Sequence, residues 1–245
     1  MTDDDHDPLA DLNASPLNPL PGAVWLLLLA VIGIEAVLSA GSAGLIGGQQ
    51  AVGWRIETIQ NYAFSSGIQD WMLQNWRFPV RHLTRYLSFS FVHGEPMHAF
   101  FGAVLIAALG KTVAERFGTV RFLVLALVAP IIGAVIFGLV THDDQLGWLF
   151  GAMPMAFALV GAFTWIKWRE AAGDPSKQLR AFAMIAILLV ARLAFGLLAE
   201  AGPAWIAEVS SFVLGFVGSA LFLGPGSWAR LRARIRGYVV FIQEA

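Results

Sequence analysis

Gly151-Ala152-Met153-Pro154-Met155-Ala156-Phe157-Ala158-Leu159-Val160-Gly161 is the stretch on which the fold turns. It carries no charge and no hydrogen-bonding side chain, and a glycine stands at each end. It lies inside a longer apolar segment, about Leu146 to Trp165. That is enough for a helix to cross a hydrocarbon core of about 30 Å, which takes roughly 20 residues. The chain around it has the same character. Of 245 residues, 57% are hydrophobic and 13% charged, with mean hydropathy +0.66. Soluble domains average about 45–50% apolar and about 25% charged. The bilayer is therefore the expected solvent, and the predicted class is an all-α membrane protein. A net charge of -1 implies no general affinity for nucleic acid. The absence of cysteine excludes thiol catalysis, thiolate metal sites and disulfides.

Working outward, apolar runs and their breaks predict six transmembrane helices. They span about 23–45, 89–113, 120–140, 146–165, 179–198 and 204–223. Residues 1–20, rich in Asp, Asn and Pro, read as a disordered tail. No Lys or Arg precedes Arg55, so the first apolar run is expected to stay as an anchor rather than to act as a cleaved signal. Between the first two spans, Tyr62, Trp54, Trp71 and Trp76 alternate with Arg55, Glu57, Asp70, Arg77, Arg81 and Arg85, which predicts a long interfacial first loop. Residues 225–245 hold Arg230, Arg232, Arg234 and Arg236 and predict a basic amphipathic tail. The membrane domain is thus expected over 21–224. Lys and Arg concentrate in the second-to-third loop, the fourth-to-fifth loop and the tail, and are absent from 141–146 and 199–204. The positive-inside rule then puts both termini in the cytoplasm, and the membrane expected for the chain is a bacterial inner (cytoplasmic) membrane. The first loop, with its four arginines, departs from that rule.

Ionisable groups within spans are functional candidates. Arg192 in the fifth span and Glu208 near the outer end of the sixth are two. His93 and His98 are two more. Five residues apart on one helix, they would point about 140° from each other and would not share a face as metal ligands do. Their spacing suits hydrogen bonds to backbone or loop groups instead. No cofactor or metal site is expected. Gly215 and Ser219 form a small-x-x-x-small pair that permits close helix approach. Ser88, Ser90, Ser210, Ser211 and Ser219 lie in or near spans, but none has a motif that brings it a histidine base.

Arg85-Tyr86, His93…His98, Gly110, Glu115 and Gly118 together resemble the second helix and following loop of rhomboid intramembrane proteases. The family's pattern there is R-[YF], then H-x-x-x-x-H-x-x-x-N. Both histidines match, and Gly102 takes the asparagine's place. Glu115 sits one residue nearer Gly118 than the pattern has it. Gly151…Leu159-Val160-Gly161 is similar to the family's G-x-S-G-x-x-x-x-L-x-G, with Met153 for the serine and Pro154 for the next glycine. Ser211 to Ser219 resembles A-H-x-G-G-F-x-x-G, with Phe212 for the histidine and Gly215 for a glycine.

The resemblance covers roughly 23–223 and implies a six-helix rhomboid-like bundle. In that family a serine on the fourth helix is activated by a histidine on the sixth, and the second-helix histidine and asparagine assist the oxyanion. Here only His98 of those four remains. A thioether cannot attack a carbonyl, and Pro154 has no N–H to offer. Met153 and Phe212 are expected to pack together in the former site. The resemblance therefore implies a membrane pseudoprotease whose partners are lipids and the transmembrane segments of client proteins. Two rivals stand beside it. One is an active peptidase with a displaced dyad. The other is an accessory subunit or transporter, with Arg192, Glu208 and the histidines lining a polar path.

Overall fold

The computed structural model describes residues 20–142, 147–199 and 202–223, with the backbone alone at 192–199 and 223. Most of the N-terminal tail, the basic C-terminal segment and much of the loop at 141–146 lie outside the described residues.

Helix α1 covers Gly22–Ser42. A run of short elements follows: a 3-10 turn at Gly48–Gly53, α2 at Trp54–Tyr62, strand β1 at Phe64–Ser65 and α3 at Ser66–Asn75. Helices α4 (Val80–Leu83) and α5 (Arg85–Ser88) and a 3-10 turn at Phe89–Phe91 complete it. Long helices α6 (Pro96–Phe117) and α7 (Thr119–Val140) come next, then strand β2 (Trp148–Leu149) and α8 (Met153–Glu170). Helices α9 (Pro175–Arg180), α10 (Ala183–Ala199) and α11 (Trp205–Leu223) end the described chain.

By length and composition, α1, α6, α7 and α11 can each cross a membrane. Helix α8 ends in Lys167, Arg169 and Glu170, and α10 has 17 residues.

Three boundaries differ from the sequence reading, each for a local reason. The second span was expected from residue 89, yet α6 starts at Pro96. A proline at the first helical position gives up only an N–H that has no partner in the helix anyway. The fourth span was expected from residue 146, yet the chain first makes β2 and a left-handed Gly151 (φ 105°) before α8 begins at Met153-Pro154. The fifth was expected from residue 179, but Asp174-Pro175 starts a separate short helix. The Asp174 carboxylate accepts from the N–H groups of Ser176 and Lys177.

Helix α8 is the centre of the bundle. Pro154 to Ala162 is buried throughout. Helices α6, α7 and α11 pack around it. Lipid tails are as apolar as leucine, so burial does little to drive helices together within a bilayer. Close backbone contact does more. The α8–α11 crossing shows this: a Cβ on Gly215 would collide with the Ala158 carbonyl, and one on Gly161 with the Phe212 carbonyl. The Ser219 Oγ–H donates to the Gly215 carbonyl at 2.7 Å within α11.

The short elements between α1 and α6 are tied to the bundle by polar bonds. β1 pairs antiparallel with β2, Phe64 opposite Leu149 and Ser65 opposite Trp148. Arg85 donates to the carbonyls of Ala63 (2.7 Å) and Gln60 (2.6 Å). Tyr86 donates to Gln69 Oε1 at 2.8 Å, and Gln69 Nε2 donates to the Val135 carbonyl on α7 at 3.2 Å.

Candidate functional site

The residues just ahead of α8 bring together side chains from three parts of the chain. The Gly151 N–H donates to the Phe89 carbonyl at 2.8 Å, which anchors the turn. Gly151 needs to be glycine twice over. Its φ of 105° is left-handed, and a Cβ there would run into the His98 imidazole. The next N–H, that of Ala152, donates to His93 Nε2 at 3.1 Å. Ala152 caps α8 and has no capping side chain of its own, so the distant histidine satisfies the group. On α6, a Cβ at Gly102 would lie 2.8 Å from the Ala152 Cβ, so α6 meets the chain closely at this point.

His93 and His98 are not on one helix. His93 lies before α6 and His98 in its first turn, so the 140° separation does not apply. The rings stand edge to face with centroids 5.6 Å apart. The expectation that they bond to backbone groups holds for His93. His93 is fully buried. Burial, with His98 beside it, pushes its imidazole down to about 4.

Behind His93 runs a polar chain to α1. Arg55 on α2 donates to the His93 carbonyl at 2.9 Å and to both Glu35 oxygens, at 2.6 and 3.0 Å. Ser39 donates to Glu35 Oε1 at 2.6 Å. Glu35 is a residue that sequence reasoning passes over, although a carboxylate in the middle of an apolar span is itself a signal.

Met153 is half-buried and starts α8. Pro154 follows it as a helix starter. Phe212 is half-buried too, and both pack against the same core. The Phe212 backbone rests at Gly161, and Gly215 rests at Ala158. Ser211 is buried against Gly133 of α7, its Oγ without a hydrogen-bond partner among the described residues. Glu208 is 2% exposed in the first turn of α11. Arg192 lies on α10, its side chain outside the described residues.

Thus His93, His98, Gly102, Gly151 and Ala152 form one cluster at the head of α8. Met153 and Pro154 follow directly from it, and Gly215 and Phe212 lie against the helix further along. The family model described as "Rhomboid domain" matches residues 80–225. No curated protein matches the chain.

Proposed function

The chain belongs to the rhomboid family, and from that premise we propose that it is a pseudoprotease, an integral membrane protein that holds transmembrane segments of clients without cleaving them. The observation that carries the reading is the side chain at the head of α8. Met153 offers a thioether where the family has its serine, and Phe212 offers a phenyl ring where it has its base. Neither can supply or accept a proton, so no activated nucleophile forms there. Two backbone features support the same reading. Pro154 has no N–H, and the Ala152 N–H already donates to His93 at 3.1 Å. A developing oxyanion would find fewer free donors than such chemistry needs.

The same proposal includes a six-span bundle with both termini in the cytoplasm of a bacterial inner membrane. In it, 43–95 forms an interfacial loop. The helix order and the placement of Lys and Arg support it.

Purified full-length protein should neither cleave generic rhomboid substrates nor react with a fluorescent fluorophosphonate. Labelling that disappears in Ser210→Ala or Ser211→Ala would establish a displaced nucleophile and sink the reading. Affinity purification from membranes separates the third possibility. Many substoichiometric membrane clients fit a lateral binder, whereas one stoichiometric partner would make the chain a subunit.

A further inference from the structure

At the end of α8 the chain turns through Ala171–Gly173, with Gly173 at φ 99°, and returns as α9. The corner is preformed. Asp174 caps α9, and Gln178 Nε2 donates back to the Trp168 carbonyl at 3.4 Å. Between the two helices lies a cavity of about 360 Å³, lined by Lys167, Glu170, Ala171, Lys177, Arg180 and Ala181. Three of the six are cations and one is an anion. Glu170 pairs with Lys167 at 2.8 Å, and Asp174 at the rim pairs with Lys177 at 3.2 Å. Arg180 has no ion pair among the described residues. The cavity thus keeps uncompensated positive charge and has small alanine walls.

Exposed aliphatic side chains follow the corner along the chain. Leu179, next to Arg180, is 75% exposed, and on α10 Ile187 and Val190 are 69% and 67% exposed. A cationic pocket at the foot of a helix that exposes aliphatic side chains suits a ligand with a phosphate at one end and hydrocarbon at the other. Cationic pockets between membrane helices recognise anionic head groups in this way. A free phosphate would use the pocket and make no contact with these aliphatic side chains.

We propose that the α8–α9 corner is a binding site for an anionic phospholipid, whose phosphate sits among Lys167, Lys177 and Arg180 and whose acyl chains run past Leu179 along α10. The site is about 17 residues from the head of α8 and does not depend on whether the protein cleaves anything.

Full-length protein in a neutral detergent is titrated with dioleoylphosphatidylglycerol, dioleoylphosphatidylcholine or inorganic phosphate. Native mass spectrometry counts bound lipid and thermal unfolding reports stabilisation. The phosphatidylglycerol is expected to bind and raise Tm, and the phosphatidylcholine is not. The double variant Lys177→Gln/Arg180→Gln should weaken phosphatidylglycerol binding by roughly tenfold or more. Arg77→Gln/Arg81→Gln removes the same charge from the segment between α1 and α6 and should leave binding within about twofold. Arg180→Lys keeps the charge and should retain the lipid, which guards against a double variant that misfolds. Equal binding of the two lipids, or equal loss in the two double variants, overturns the site. Displacement of the lipid by inorganic phosphate at similar concentration makes it a free-anion site and overturns the lipid.

Discussion

At His93 the proton follows from the partners. Nε2 accepts the Ala152 N–H, so the neutral ring carries its hydrogen on Nδ1. Protonating Nε2 would remove the acceptor and put a buried cation beside His98 and Arg55, with Glu35 and a hydrogen bond to the Phe91 backbone too weak to offset this. The folded protein therefore disfavours the charged ring, and the unfolded chain binds the proton first. Stability linked to this group is complete above about pH 6.5 and declines as pH falls towards about 4, by up to roughly 3 kcal/mol. Thermal unfolding between pH 7 and 4 should show that decline, and His93→Gln, which cannot titrate, should flatten it. Parallel slopes in the two proteins would show that other groups carry it. Gly151→Ala tests the neighbouring position. It combines a left-handed φ with a collision at His98, so a loss of roughly 2 kcal/mol or more is expected in chemical denaturation. The sequence marks His93 and His98 as a pair, but not their target. The Ala152 N–H is a backbone group, and no residue type announces it.

The elements show where sequence patterns reach and where they stop. Apolar runs mark the long helices because each one must satisfy its own backbone within the hydrocarbon. The boundaries moved where a proline starts a helix later than hydropathy suggests, at Pro96 and Pro154, and where Asp174 and Pro175 start a separate short helix ahead of the fifth span. The fold of 43–95 was less legible. Its short helices depend on distant acceptors, as when Arg85 reaches the carbonyls of Ala63 and Gln60. The Glu35–Arg55 pair belongs to this scale because it joins α1 to α2. Both side chains are largely buried, at 10% and 14% exposure. Removing one partner strands a charge, so Glu35→Gln or Arg55→Gln should each cost about 2–4 kcal/mol. A double-mutant cycle should show strong coupling, with the double variant less damaged than the sum of the singles. Additive losses would mean that the two residues act separately. Gly215→Val should be more severe than either, since its side chain would have to occupy the place of the Ala158 carbonyl on the most closely packed helix pair.

For the whole molecule, the charge pattern and the packing give one account of the first loop's departure from the positive-inside rule. Of its four arginines, Arg55 is neutralised by Glu35 and Arg85 is held by two carbonyls, which leaves Arg77 and Arg81 nearer the surface. The resemblance to a protease can be tested on the same scale. If Met153 and Phe212 stand where the dyad stood, Met153→Ser/Phe212→His should gain fluorophosphonate labelling that neither single variant has. Turnover of a transmembrane substrate should stay very low. Each absent oxyanion donor costs about a hundredfold or more, and here Gly102 carries no amide and the Ala152 N–H is engaged by His93. Adding Gly102→Asn alone should not repair this, because its Cβ would lie 2.8 Å from the Ala152 Cβ. It should lower Tm instead. Adding Ala152→Gly opens that space, so the quadruple variant is the first in which both the nucleophile and a donor can be in place. Labelling in the double variant with a turnover gain only in the quadruple would identify the head of α8 as a site closed by packing as well as by the loss of its serine. If the double variant gives no labelling, Phe212 does not stand across from Met153, and the assignment of these two positions is wrong.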